Sequence, residues 1–134
     1  MRPTCQMIAT HPAQSNEPGS LIACIEACFD CDQACTTCAD ACLHDEAVAD
    51  LRRCIRMNLD CADVCATLGR ALSRASNPDG TLIRSLVQAC IDACKACGDE
   101  CRRYARLHEH CEHCADACAT GERACRTVLG LMSG

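Results

Sequence analysis

The sequence predicts an all-α fold, an antiparallel up-down-up-down four-helix bundle with a cysteine-lined core. Three observations support this prediction. Of the 134 residues, 18 are cysteine and only 1% are aromatic, so few large side chains remain to fill an interior. Most of the cysteines recur at spacings of three or four residues, as the buried face of a helix does. The segments between these repeats are short, which favours antiparallel neighbours.

The first predicted helix spans about residues 20–43, and its cysteines alternate at spacings of four and three residues. We expect residues 1–19, which are polar and rich in proline, to form an irregular arm or a short helix. Residues 20–134 are predicted to form the bundle as one domain, since the chain is too short for a second core. The cysteines of the first helix are Cys24, Cys28, Cys31, Cys35, Cys38 and Cys42.

The second predicted helix starts near Asp45, which suits an N-cap, and ends at about residue 75. Asn58 occupies a position where the repeat would place a cysteine, so we expect it to line the core or to set the register by hydrogen bonding. A turn follows at residues 76–80, where Asn77 precedes a proline that suits the first turn of the next helix. The cysteines of the second helix are Cys54, Cys61 and Cys65.

The third and fourth predicted helices span about residues 78–107 and residues 108 or 109 to 129. No glycine or proline marks the break between them, and we place it at residues 106–110 because the heptad phase shifts there. Gly130 is predicted to close the fourth helix. The cysteines of these helices are Cys90, Cys94, Cys97, Cys101, Cys111, Cys114, Cys118 and Cys125.

The two ends of the bundle are predicted to differ. Antiparallel order gathers histidines at one end, beside Tyr104, and we expect metal to enter there. These histidines are His44, His108, His110 and His113. The opposite end should be a dry aliphatic plug, composed of Leu21, Ile22, Ile25, Leu68, Leu72, Leu82, Ile83, Leu86, Val87, Val128 and Leu129.

Charge and composition argue against several classes of function. The net charge is −5 with acidic and basic residues interspersed, so no basic stripe suggests nucleic-acid or membrane-surface binding. The sequence contains no apolar run of about 18 residues, so it predicts no transmembrane helix. The polar amino terminus carries no export signal, so we expect a cytoplasmic protein, where clustered cysteines are more often metal ligands than disulfides.

The spacing of the thiols favours Cu(I) over other metals. Two cysteines four residues apart on a helix can bring their sulfurs to about 4.5 Å, the separation that a two-coordinate metal requires. Each Cu(I) ion that replaces one thiol proton leaves the net charge unchanged, so bridging thiolates permit about one Cu(I) per cysteine. Such a capacity predicts storage in bulk, without enzymatic activity.

Two other functions fit part of the pattern. A zinc or mixed-metal thiolate buffer would hold about four or five ions per chain, since zinc prefers four ligands. A thiol redox protein would need an exposed cysteine of low pKa.

Outside the cysteines of the bundle, His108 and His110 are candidate accessory ligands, with solvated turn histidines as the alternative. Cys5 is a candidate ligand if the arm folds back. We expect His44 and His113 at the surface and Met57 in core packing.

The repeated Cys-x-x-x-Cys and Cys-x-x-Cys pairs on four helices resemble those of the bacterial copper storage proteins, in their cytosolic branch, over about residues 20–130. This resemblance implies Cu(I) ligands on all four helices, loading through one open end with accessory histidines, and a homotetramer of bundles. A copper chaperone is a further candidate partner. The complete predicted ligand set is Cys5, Cys24, Cys28, Cys31, Cys35, Cys38, Cys42, Cys54, Cys61, Cys65, Cys90, Cys94, Cys97, Cys101, Cys111, Cys114, Cys118, Cys125, His108 and His110.

Overall fold

The structure, a computed structural model, describes residues 2–13, 17–74 and 80–132. These residues form five α-helices and one 3-10 helix, and they contain no strand, so the predicted all-α class is confirmed. The elements are α1 (Pro3–Ala9), α2 (Pro18–Leu43), a 3-10 helix (Val48–Leu51), α3 (Arg52–Ser73), α4 (Thr81–Tyr104) and α5 (Glu109–Met132).

The four long helices contact one another in a closed ring, in which α2 and α4 each pack against both α3 and α5. Neighbouring helices run in opposite directions. Cys24, near the start of α2, lies with its sulfur 3.8 Å from that of Cys125, near the end of α5. At the other end of the same pair, Cys38 of α2 contacts His110 at the start of α5. The inward faces of the four long helices therefore surround one shared interior.

Helix α1 packs on α2, and its Ile8 reaches the main buried cluster. Arg2 fixes the start of α1, because its guanidinium lies 2.8 Å from the carboxylate of Asp30 and 5.8 Å from the ring centre of Phe29. The proline at the first turn suits a helix start, since its missing N–H would have no partner there. Part of the amino-terminal segment is thus helical and attached to the bundle.

Several predicted helix boundaries differ from the structure, among them the start of the third predicted helix, which is Thr81 and not residue 78. Asp45 does not cap a helix, because its Oδ1 accepts the N–H of Ala47 at 2.8 Å and so closes a tight turn. Gly130 does not end α5, which continues to Met132, and the carbonyl of Met132 accepts a hydrogen bond from Arg84 at 3.0 Å. The third helix ends at Tyr104, before the predicted 107. The predicted turn, with Asn77, lies almost wholly outside the described residues.

One end of the bundle is packed with aliphatic side chains, as predicted. Six of the predicted residues are buried there, and the members are Leu21, Ile25, Leu68, Leu72, Val87 and Val128. The prediction was wrong for Leu82, which is 69% exposed.

Phe29 packs so closely against α3 that a Cβ at Gly69 would lie 2.9 Å from its ring. Glycine at this position allows the ring to cover the helix.

Among the described helices, none combines the length and the apolar character needed to span a bilayer.

Candidate metal centre

Seventeen of the eighteen cysteines belong to one continuous buried cluster. They come from α2, α3, α4 and α5, and each is at most 2% exposed. All are free thiols. The helical spacing of the cysteines produces this arrangement, because residues three and four apart share one face of a helix. The cluster lies between the aliphatic end and the histidine-bearing end.

The sulfurs lie close enough to hydrogen-bond to one another, at distances of 3.6–4.0 Å. Cys31 illustrates the density, since its sulfur lies 3.8 Å from those of Cys35, Cys61 and Cys118. These four residues come from three different helices. Sulfurs bonded in a disulfide would be about 2 Å apart, so the thiols are adjacent without being paired.

The sulfurs form groups in which every member lies within 4.8 Å of the others. Cys31 and Cys61 each belong to two such groups, so one sulfur can bridge neighbouring metal ions. Donor sets made only of sulfur favour soft metals such as Cu(I). The four-sulfur groups include Cys31, Cys61, Cys65 and Cys94; Cys31, Cys35, Cys61 and Cys118; Cys35, Cys97, Cys114 and Cys118; and Cys38, Cys42, Cys54 and Cys111. A group of three comprises Cys24, Cys28 and Cys125.

Asn58 is the one side chain with an amide inside the described thiol cluster, and it is fully buried. Its Oδ1 accepts hydrogen bonds from the thiols of Cys97, Cys114 and Cys101 at 3.1, 3.3 and 3.5 Å. Its amide nitrogen donates to the sulfur of Cys54 at 3.8 Å. Asn58 therefore lines the core and satisfies both ends of its amide with thiols.

Hydrogen bonding and burial spread the thiol pKa values apart. The hydrogen bond from Cys125 lowers the pKa of Cys24 to about 5, because it stabilises the thiolate. At the other end of the cluster, burial, followed by the negative charge of Cys54, raises the pKa of Cys42 to about 11. The thiolate form is thus favoured at Cys24, where a neighbouring thiol donates to it, and disfavoured at Cys42, where burial dominates. A bound cation would supply the same stabilisation throughout.

His110 is the histidine closest to the thiols. Its Nδ1 lies 3.4 Å from the sulfur of Cys38 and 3.7 Å from that of Cys111. Its Nε2 is buried and has no hydrogen-bond partner among the described residues. A buried ring nitrogen without a partner is costly, and a metal ion would satisfy it.

His108 lies beside His110, with their ring centres 5.7 Å apart. The Nδ1 of His108 is 2.9 Å from the carboxylate of Asp45, and its side chain is 15% exposed. A carboxylate at Nδ1 holds the proton on that nitrogen and leaves Nε2 as a potential ligand. No sequence pattern indicated this partner, because the pair joins two separate connecting segments.

His44 and His113 lie at the surface, as expected, with side chains that are 80% and 72% exposed. Met57 is partly buried and packs against the main cluster. Cys5 is buried at 4% exposure but does not belong to the thiol cluster. The structure therefore does not bring Cys5 together with the other predicted ligands.

Glu100 is a buried carboxylate that sequence reasoning missed. It is 5% exposed and is paired with Arg53 at 3.5 Å and with Arg103 at 3.4 Å. Its position three residues after Cys97 was a usable signal, because that spacing places both residues on one helical face. The two exposed arginines offset the charge of this buried carboxylate.

Comparison with known proteins finds close similarity in one family. Residues 17–130 match the family described as copper storage protein. The structure of the Streptomyces lividans copper storage protein Ccsp, loaded with 10 copper equivalents, is 46% identical, covers 95% of this chain and 98% of its own, and superposes with a TM-score of 0.90. Another structure of the Streptomyces protein, with five coppers, is described as that of a cytosolic copper storage protein.

Two further relatives cover most of the chain. The Cu(I)-bound copper storage protein BsCsp3 is 39% identical over 81% of this chain and 96% of its own, with a TM-score of 0.69. The cysteine-rich protein YhjQ of Bacillus subtilis, described as uncharacterized, is 40% identical over 79% of this chain and 93% of its own length.

Proposed function

Because the chain belongs to the copper storage protein family, we propose that it stores Cu(I) in the cytosol on the thiolates of its buried cysteines. One observation carries this proposal. Seventeen free thiols form a single buried cluster whose four-sulfur groups share members. A catalytic or regulatory metal site needs only one such group, whereas overlapping groups suit a continuous store.

The proposed capacity is about one Cu(I) per cysteine, on the order of 18 ions. Charge supports this ratio, because a Cu⁺ ion that replaces a thiol proton leaves the interior neutral. An unpaired thiolate in this interior would be strongly disfavoured by desolvation. The relatives solved with 10 copper equivalents and with Cu(I) bound are consistent with many ions per chain.

The proposed storage unit is an antiparallel four-helix bundle with a cysteine-lined core, formed by residues 20–134. Its ligands are the seventeen clustered cysteines, with Cys5 as an additional ligand from the amino-terminal segment. We assign His110 and His108 as accessory ligands at the end where copper is loaded. The unpartnered Nε2 of His110 and the carboxylate behind His108 support this assignment.

We further propose that the protein sequesters copper without catalysing a reaction. The reducing cytosol would keep the thiols free for Cu(I), and storage there limits the toxicity of the metal. A homotetramer of bundles and a copper chaperone as donor complete the proposal.

Zinc storage is the second candidate, because the four-sulfur groups also have the composition of a zinc site. Charge disfavours it. Four thiolates around one Zn²⁺ carry a net charge of about −2, which would have to be buried repeatedly along the cluster.

The test is an anaerobic titration of reduced, metal-free protein with Cu(I), with a competing chelator that reports free copper. Tight uptake of about one copper per cysteine is expected. Saturation at a few ions would contradict bulk copper storage. A parallel titration with Zn²⁺ separates the second candidate, which predicts tight uptake of about four or five ions.

A further inference from the structure

Arginine is concentrated at the start of α3 and at the end of α4. Residues 52–56 and 100–106 contain six of the chain's 13 cationic residues and a single acidic residue, Glu100. All six side chains are exposed, and they are Arg52, Arg53, Arg56, Arg102, Arg103 and Arg106. Neither segment forms a basic stripe by itself, and the chain as a whole carries a net charge of −5. A positive surface therefore depends on whether the fold brings the two segments together.

The fold joins the two segments through Glu100. Helices α3 and α4 are antiparallel neighbours, so the start of one lies beside the end of the other. The sulfurs of Cys54 and Cys101 are 3.6 Å apart at this level. The Oε1 of the buried Glu100 lies 3.5 Å from Arg53 and 3.4 Å from Arg103, whose side chains are 67% and 68% exposed. One buried carboxylate thus holds an arginine from each helix at the surface.

Four of the six arginines form no ion pair within the described ranges, and these are Arg52, Arg56, Arg102 and Arg106. Asp99, the next acidic residue on α4, is paired with Lys95 at 3.0 Å. Asp50 and Asp60 border the α3 segment, and neither pairs with it in the part of the chain that the structure describes. The unpaired guanidinium groups are therefore available to carboxylates of another molecule, which arginine binds through two parallel hydrogen bonds.

The arginines adjoin the histidine-bearing end, where copper is proposed to be loaded. Arg106 is two residues from His108, whose ion pair with Asp45 joins the connection after α4 to the segment before α3. Two exposed leucines lie beside the same pair, Leu107 at 80% and Leu43 at 58% exposure. Apolar side chains with arginine, and without lysine, are typical of protein interfaces.

These features favour a protein partner over a nucleic acid. Single-stranded nucleic acids stack their bases on aromatic side chains. Tyr104 is the one tyrosine of the chain, and it is half-buried against the main cluster. A phosphate backbone gains nothing from exposed leucines, whereas a protein surface buries them at the centre of an interface.

We propose that the six arginines, together with Leu43 and Leu107, form a surface that docks the acidic face of a protein carrying Cu(I) to the histidine-bearing end. The proposal rests on the proposed storage function and identifies where its donor binds. Opposite charges raise the rate of encounter and orient the donor, since charge complementarity contributes more to the association rate than to affinity. The capacity of the store does not depend on this arginine surface, because none of its residues belongs to the thiol cluster.

Copper transfer from two synthetic peptides tests the arginine surface. Both peptides hold Cu(I) on a Cys-x-x-Cys pair beside a leucine, and the flanking residues are glutamates in one and glutamines in the other. Reduced, metal-free protein is mixed with each loaded peptide without oxygen, separated rapidly by gel filtration at intervals, and analysed for copper. We expect the glutamate peptide to load the protein at least about tenfold faster at low salt. The difference should disappear at about 1 M salt, where charges are screened.

A double variant tests the named residues. Arg56→Glu with Arg106→Glu reverses two unpaired charges and leaves Glu100 with both of its partners. Arg70→Glu with Arg123→Glu changes the net charge equally at exposed positions nearer the aliphatic end, and is the matched control. We expect the first variant to slow transfer from the glutamate peptide at least about tenfold, and the control to keep most of the parent rate. Both should reach the parent's final number of ions in the chelator titration.

Leu107→Ser separates a protein partner from a nucleic acid. We expect it to raise the concentration of glutamate peptide that gives half the maximal rate about fivefold, because an apolar contact is lost. Leu82→Ser, at a 69% exposed leucine of the opposite end, should leave this concentration unchanged. Tighter binding of a single-stranded oligonucleotide than of the glutamate peptide, measured by fluorescence anisotropy at the same salt, would overturn the proposal in favour of a nucleic acid.

Equal loading from the two peptides, or loading of the Arg56→Glu and Arg106→Glu variant at the parent rate, would also overturn the docking surface. A changed oligomeric state of this variant in size-exclusion chromatography would assign the surface to contacts between copies of the chain instead. A low final number of ions in the parent protein would count against the storage function itself, so the two failures are distinct.

Discussion

The aliphatic end and the thiol cluster occupy different parts of the same four helices and contribute differently to folding stability and metal binding. Leu68, Leu72 and Val87 are at most 1% exposed and bury large apolar side chains. In the cluster, Cys31 and Cys61 are as deeply buried, yet each contributes only a small side chain and weak S–H hydrogen bonds. Burial stabilises the first region without a ligand. We expect the second region to gain most of its stability when a metal links its sulfurs.

This difference explains how the bundle can keep its fold while the number of bound copper ions varies. The hydrophobic effect scales with apolar area, so the aliphatic end can hold the helices together in the metal-free protein. The thiols then need only to remain close together, without making a fully packed core. Stability and capacity are therefore expected to respond to different substitutions.

Copper loading should have the largest effect on stability. Metal that binds only the folded protein stabilises it by linkage, and a single site at about 1,000 times its dissociation constant contributes about 4 kcal/mol. We therefore expect the melting temperature of the loaded protein to exceed that of the metal-free protein by at least about 10 °C. Thermal unfolding followed by circular dichroism without oxygen measures this shift. Equal melting temperatures would place the metal outside the core.

Leu72→Ala should destabilise the metal-free protein by about 2–5 kcal/mol, because it leaves a cavity in the aliphatic end. Leu72 is 1% exposed and belongs to the main cluster. The number of bound coppers should not change. Chemical denaturation and copper titration of the same sample measure both quantities.

The matched control is Leu59→Ala, on the same helix at a residue that is 47% exposed, which should change stability little. A loss of copper capacity in folded Leu72→Ala would show that the two regions are not independent.

Asn58→Leu should destabilise the metal-free protein by about 1–2 kcal/mol, because three thiols lose their shared acceptor. The effect should shrink in the loaded protein, since copper replaces the protons that Asn58 accepts. Denaturation curves with and without copper give the two values. Gln88→Leu, which removes an exposed amide on α4, is the control. An equal cost in both states would show that Asn58 acts through packing alone.

Much of the division between the aliphatic end and the thiol cluster was predictable from sequence. Cysteines at spacings of three and four indicated both the helices and the face that each buries, and Leu72 and Val87 indicated a dry end. The contacts between helices were not predictable, because they depend on how the helices are shifted along one another. Cys31 meets Cys118 across 87 positions of chain. The prediction that Gly130 ends the last helix was wrong, because a helix can continue through glycine when a residue beyond it is buried, as Met132 is.

The amino-terminal segment offers a third region for comparison, where the smallest effect is expected. Cys5 lies outside the cluster that holds Cys61. Cys5→Ser should lower the copper number by no more than about one ion, because Cys5 lies outside the buried cluster of thiols.

Cys61→Ser should lower the copper number by more than one ion, since Cys61 belongs to two overlapping groups and its sulfur can bridge ions in both. Copper titration of the two variants beside the parent makes the comparison, and the oxygen of serine keeps the size of each side chain nearly unchanged. Equal losses would mean that each thiolate holds its own ion and that overlap does not raise capacity. No loss in Cys5→Ser would remove Cys5 from the ligand set and confine the store to the ring of four long helices.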